Sequence, residues 1–258
     1  MRSDRQKILC VLKAASRFSA RLAMVLALAG TLAAQVPEKF TNLQYFPKDI
    51  TREELIGIMR GFSFSLSVRC QYCHVGKEGG QLNEMDFASD EKDTKKTART
   101  MLRMVDAING DYIAKLGPQI TARVQCVTCH HGLSKPITMN ALLADTIDKK
   151  GIEAALAQYR DLHAKELGDG RYDFGETPLN QLTESLLKQK KTQAAAAIME
   201  LNVEVNTPPS MWSYNLLAMA HKANNQTEKA KADFRKILEL NPKDGFARKQ
   251  LDELNSSQ

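Results

Sequence analysis

Four of the five cysteines in this 258-residue chain stand in two short runs, CQYCHV and CVTCHH, each a Cys-x-x-Cys pair with a histidine directly after it. The residues are Cys70, Cys73 and His74, then Cys126, Cys129 and His130, with 52 residues between the two pairs. A Cys-x-x-Cys pair alone serves as a redox dithiol, as half of a zinc site or as an attachment point for haem. A redox dithiol needs one pair and no following histidine. A zinc ribbon sets its two pairs about 15–20 residues apart. Two distant pairs, each with its own histidine, instead satisfy covalent haem. Two thiols add to the two vinyl groups on one porphyrin edge, the spacer sets the sulfurs at the vinyl separation, and the next residue aims its imidazole at the iron. The expected cofactors are therefore two haem c groups, held by Cys70, Cys73, Cys126 and Cys129, with His74 and His130 as proximal ligands. Structural disulfides or a zinc site are the alternative.

The formal net charge of +6 suggests a nucleic-acid binder until it is located. Residues 1–34 hold six Lys/Arg and one Asp, so they carry +5 and leave about +1 for the rest. A nucleic-acid reader would keep a basic face on its folded domain; no such partner is expected. The basic segment precedes the uncharged run LAMVLALAGTLAA. That run is short for a membrane span and matches the apolar part of a signal peptide, with small Ala33 and Ala34 at its end. Residues 1–34 are read as a signal peptide, with a retained membrane anchor as the alternative. Export is the setting in which thioether-bound haem is assembled, which places the protein in the periplasm. Cys10 lies within the leader, so every other cysteine belongs to the two motifs.

A haem iron has a further axial position, which favours electron transfer when filled and ligand binding or catalysis when open. Ten methionines stand in the chain. In DITREELIGIMRGFSFSLSVRC, Thr51 and Glu54 form a capping box, and Leu55, Ile58, Met59 and Phe62 follow at helical spacing. This predicts a short helix with Met59 on its buried face, eleven residues before Cys70, loosened by Gly61 and the SFSLS run. Met59 is a candidate sixth ligand or a core residue. In DEKDTKKTARTMLRMVDAINGDYIAKLG, Ala98, Met101, Val105 and Ile108 form an apolar stripe. Met101 and Met104 are expected to face inward, with Lys95, Lys96, Arg99, Arg103 and Asp106 mainly outside. Either methionine is a candidate ligand for the second haem.

FTNLQYFPKDITREELIGIMRGF, VRCQYCHV, DFASDEKDTKKTARTMLRMVDAIN and VQCVTCHHGLSKP together resemble the cytochrome c subunit of photosynthetic reaction centres and its exported dihaem relatives. The resemblance covers residues 38–136. It implies an all-α haem domain in which a helix parallel to the porphyrin precedes each attachment motif and a methionine of that helix often supplies the sixth ligand. Met59 stands where that ligand is expected for the first haem; for the second, Met104 stands near the family position and Met101 one turn earlier. The full subunit carries four such motifs, one haem taking a distal histidine from the other half. This chain has two, which separates it from that arrangement and from an assured role as donor to a reaction centre.

Beyond Pro136 no haem motif recurs. GIEAALAQYRDLHAKELG reads as a helix with Ile152, Ala155, Leu156, Tyr159, Leu162 and Leu167 on one face. Further on, Tyr214, Leu217, Ala218, His221, Ala230, Phe234 and Pro242 fall at tetratricopeptide positions, and Leu182, Leu186, Ala195 and Met199 repeat the pattern about 35 residues earlier. His221 is read as a packed repeat residue and His163 as a partly buried helix residue. Two repeats are few for a stack, so the 151–167 helix or the haem domain is expected to complete it. The organisation read from the sequence is a signal peptide over 1–34, a dihaem domain over 35–140 and a tetratricopeptide-like domain over 141–258, all helical. The expected function is electron carriage by Fe(II)/Fe(III) cycling between redox proteins, a membrane electron-transfer complex among them, with the repeats for docking. A peroxidase-like dihaem enzyme with one open iron, or mainly a partner-recruiting scaffold, is the alternative.

Overall fold

A computed structural model describes residues 39–77 and 79–256. The expected leader lies outside the described residues. The described elements are helical, joined by one isolated antiparallel bridge between Val75 and Asp86. The chain falls into two units. The first takes the described chain up to Phe64 and Val68–Gln125; the second takes Ser65–Ser67 and the chain from Cys126 onward.

In the first unit, α1 (Arg52–Leu66) starts at the predicted capping box. The Glu54 amide donates to Thr51 Oγ1 at 3.3 Å, and Thr51 donates back to Glu54 Oε2 from its amide and its hydroxyl at 3.0 and 2.7 Å. Gly61 and the SFSLS run do not loosen the helix as expected. It runs through them to Leu66 and closes at Ser67, whose φ of 51° lets the Val68 amide reach back to the Ser63 carbonyl at 3.1 Å. Local propensity at Gly61 is thus overridden by the continuing hydrogen-bond ladder. Helix α2 (Asp93–Ala107) continues past Gly110 as a wider turn, Ile108–Tyr112, and a tighter one, Ile113–Leu116. The Asn109 side chain then pairs with both backbone groups of Val124, at 2.9 and 2.8 Å.

The faces of α2 correct the sequence reading. Lys95 is 8% exposed, whereas Met101 and Met104 are 40% and 45% exposed. Helical period assigned the lysine outward by its charge. Loop carbonyls brought over the helix take its ammonium inward, and protein side chains cover neither methionine. Leu55 and Lys95 are the buried residues of the described part of this unit, so it has almost no apolar core of its own.

The second unit has a different economy. After the short α3 (Cys126–His130) come α4 (Met139–Lys150), α5 (Ile152–Glu166), α6 (Glu176–Lys188), α7 (Thr192–Val205), α8 (Met211–Ala223), α9 (Thr227–Leu240) and α10 (Gly245–Ser256). Gly151 alone joins α4 to α5; its φ of 87° is left-handed, the region that favours glycine. One core joins Met139 and Leu143 of α4, Tyr159 of α5, Leu182 and Leu186 of α6, and Met199 of α7. A second gathers Ala218, Phe234, Ile237, Ala247 and Leu254. The stack is therefore completed by α4 and α5 on one side and by α10 on the other. Leu167 departs from expectation: α5 ends at Glu166, the next residue turns extended, and Leu167 is 61% exposed.

The two repeats share their turns as well as their apolar positions. Lys190 and Asn225 both adopt left-handed backbone, with φ of 60° and 59°. In each, the following amide reaches back over the helix end, Lys191 to the Leu186 carbonyl and Gln226 to the His221 carbonyl, both at 2.9 Å. His221 thus occupies the register of Leu186. It is buried between Asp233 and Glu200, at 2.6 and 3.1 Å. Burial alone would favour the neutral ring, but the two carboxylates outweigh it and hold the pKa above its ordinary value. A raised pKa stabilises the fold below the unfolded value of about 6.5 and loses that contribution as pH rises through the folded value. The melting temperature of this unit is therefore expected to fall across that window. In His221→Leu, which copies the preceding repeat, thermal scans across pH are expected to show a flatter dependence.

Candidate functional site

The first Cys-x-x-Cys-His run forms a tight turn over Cys70–Tyr72. The Cys70 carbonyl accepts from the amides of Cys73 at 3.2 Å and His74 at 2.9 Å. The two spacer residues are tied from outside. The Lys92 ammonium donates to the Gln71 carbonyl, and Thr94 Oγ1 donates to the Tyr72 carbonyl at 2.6 Å, so the start of α2 is fastened to the motif. The chain between closes through the Asp86 amide on the Val75 carbonyl at 2.9 Å, and Asp86 Oδ1 then accepts from the amides of Ala88 and Ser89. Gly76 is required here, because a Cβ would sit 2.9 Å from Met85 Cγ.

This loop brings Phe87 edge-on to His74, with ring centroids 5.0 Å apart. Burial, then the Lys95 charge, push the His74 pKa down to about 4; the Phe87 backbone pulls the other way. Nδ1 is buried and makes no hydrogen bond of sound geometry. The ring is thus neutral across the physiological range, as a metal-ligating imidazole must be. Burial likewise pushes the Cys73 and Cys126 thiols up. A dithiol redox centre wants the reverse.

The second run forms α3. His130 Nδ1 lies 2.7 Å from the Leu133 carbonyl, a contact that protonates Nδ1 and leaves Nε2 for a metal. The chain turns away through left-handed His131 and Gly132, with φ of 46° and 82°. Gly132 admits a close approach: its amide donates to the Ser65 carbonyl at 2.9 Å, and a Cβ there would meet Arg171 Nε at 3.2 Å.

The four cysteines are unpaired thiols, and among the described residues no group of three or more His, Cys, Asp or Glu gathers as a metal-ion site. The residues fit haem. Each motif offers two thiols and a histidine on one short turn. Phe64, Tyr112 and Leu116 of the first unit are 81%, 69% and 64% exposed, apolar surface that a flat macrocycle would cover. Met59 is half-buried on α1; Met101 and Met104 lie on α2 in the first unit, while His130 belongs to the second.

The polar lock on α2 was not foreseen. Lys95 Nζ donates to the carbonyls of Phe87, Ala88 and Ser89, and both Lys95 and Arg99 pair with Asp90, at 3.2 and 2.8 Å. These cations hold the Asp90 carboxyl well below the usual range, Arg99 foremost, with the Asn42 side chain adding to the effect. The run DFASDEKDTKKTAR carries every charge involved, but nothing in it tells a capping lysine from a solvated one.

Comparison with known proteins places this architecture. The family described as photosynthetic reaction centre cytochrome C subunit matches residues 32–146 and 70–224, and a tetratricopeptide repeat matches 213–244. Cytochrome c-554 of Chloroflexus aurantiacus is 36% identical over 98 residues, 34% of this chain and 22% of that protein. The photosynthetic reaction center cytochrome c subunit of Rubrivivax gelatinosus is 30% identical over 115 residues, 41% of this chain and 30% of that one. The chain thus spans less than a third of either relative's own length. The first TPR domain of human RPAP3, a solved structure, aligns with a TM-score of 0.31 at 18% identity, over 46% of this chain and 87% of that one, a likeness too loose to bear on the fold. The chain belongs to the photosynthetic reaction centre cytochrome c subunit family, and its haem is of the covalently attached c type. Among the described residues no helix is long and apolar enough to cross a membrane.

Proposed function

We propose that the chain is an exported dihaem c-type cytochrome that carries electrons between redox partners in the periplasm, with a haem domain over 35–140 and docking repeats over 141–258. The observation that carries the proposal is the pair of Cys-x-x-Cys-His turns, with His74 held neutral and His130 fixed through Nδ1. Haem supplies a one-electron Fe(III)/Fe(II) couple when bound. Cys70, Cys73, Cys126 and Cys129 hold it covalently, and His74 and His130 ligate it from one side. Met59 closes the opposite side of the first site; Met104, with Met101 one turn earlier, is the candidate for the second. Closed axial positions make this a carrier rather than a catalyst. The repeats offer exposed Trp212 beside Glu184 and a lysine-rich surface, which suit docking to another redox protein or a membrane electron-transfer complex. A potentiometric titration of the exported protein is expected to show two one-electron waves. Rapid turnover of peroxide by the purified protein would count for the enzyme reading instead.

Met59→Ala is expected to open one of the two irons to cyanide and to lower its midpoint potential, because an axial methionine favours the reduced state. Unchanged cyanide binding and potential would remove Met59 from the ligand set.

A further inference from the structure

We propose that Lys95, with Asp90 and Arg99, sets the reduction potential of the haem attached at Cys70 and Cys73, Lys95 acting as a positioning and charge-bearing residue through the Phe87 carbonyl. This rests on the dihaem reading. Burying an ammonium is costly unless every donor is satisfied. Lys95 meets that condition with three successive carbonyls, Phe87 at 2.9 Å, Ala88 at 3.0 Å and Ser89 at 2.7 Å. An uncharged side chain could fill the same volume on α2, so packing does not call for a cation there. What the cation adds is a field at His74.

Two routes carry that field. Lys95 repels positive charge on the His74 ring directly. It also draws electron density from the Phe87 carbonyl, the backbone group that favours the ring's proton. Both make the imidazole a poorer donor to a ferric iron. A cation that disfavours a proton on a ring disfavours, by the same Coulomb interaction, an extra positive charge on a metal bound to it. The reduced state gains. Asp90 opposes the effect, and Arg99 limits how far it does so, since its guanidinium stands 2.8 Å from the same carboxylate oxygen that Lys95 meets at 3.2 Å.

The test is a potentiometric titration of the exported holoprotein, followed by visible absorbance, with the haem at His130 as internal reference. Lys95→Met is expected to cut the Fe(II)/Fe(III) ratio at the wild-type midpoint about tenfold, equivalent to about 59 mV for one electron. Lys95→Arg is expected to restore most of it. Asp90→Asn is expected to move the same wave the other way. A merely structural lock would make the two uncharging variants shift alike, as both loosen the loop. Shifts of one sign, or no shift in either, would overturn the proposal. Should Lys95→Met fail to mature, Asp90→Asn alone decides: a rise supports it, and a fall or no change overturns it. Wild-type protein without two haems would overturn the dihaem reading itself, before any variant is made.

Discussion

Replacing Cys70, Cys73, Cys126 and Cys129 by alanine is expected to abolish stable structure over residues 39–125 while leaving the helices from Met139 to Ser256 folded. The reason lies in where apolar surface goes. In the first unit Leu55 is the one buried hydrophobic among the described residues, and Phe64, Tyr112, Leu116 and Ile120 are exposed. Ordering a residue costs about 1–2 kcal/mol of backbone entropy, which buried apolar surface has to offset. The polar lock of Lys95, Asp90 and Arg99 cannot do so alone, because an intramolecular hydrogen bond contributes only about 0.5–1.5 kcal/mol net. A covalently held macrocycle would supply the missing core. Amide hydrogen exchange is the direct measurement. Opening free energies near zero are expected over 39–125 in the alanine variant, with α4–α10 still protected. Equal protection of the first unit with and without the cysteines would show that it folds without a prosthetic group.

The second large effect is expected in the repeats. Phe234→Ala should destabilise the helical unit by about 3–5 kcal/mol. Phe234 is fully buried, packs with Ala218, Ala230, Ile237 and Leu254, and meets Phe246 edge-on at 6.3 Å. Its small neighbours cannot collapse into the space a phenyl ring leaves. Leu240→Ala, at a side chain 53% exposed one turn later, should change stability by less than about 0.5 kcal/mol. Urea unfolding monitored through Trp212 gives both values, with the midpoint moving and the slope preserved. A loss below about 1 kcal/mol at Phe234 would mean that α8, α9 and α10 do not share a packed core.

What the sequence made legible was local. The Cys-x-x-Cys-His runs, the capping box at Thr51 and Glu54, and the repeat register from Leu182 to Phe234 each depend on spacing within one or two helical turns, and the structure shows the capping box and the register. Readings failed where a distant segment decides. Lys95 looked solvated because period and charge place it outward; the carbonyls of Phe87, Ala88 and Ser89 that receive it arrive through a loop. The inward assignment of Met101 and Met104 failed for the converse reason, since apolar spacing names a face without naming what covers it. Helix α4 escaped notice because its buried positions, Met139, Leu143 and Thr146, are sparse and one is polar. Leu167 was misplaced by counting one turn past the end of α5.

The central claim is that porphyrin is fixed by thioether bonds at both cysteine pairs. A pyridine haemochrome spectrum of the purified exported protein, taken with its intact mass and the masses of its proteolytic peptides, tests this most directly. The account predicts two haems per chain, one on the peptide holding Cys70 and Cys73 and one on the peptide holding Cys126 and Cys129. Protein with no Soret band, whose cysteines are found as cystine or bound to zinc, would contradict it.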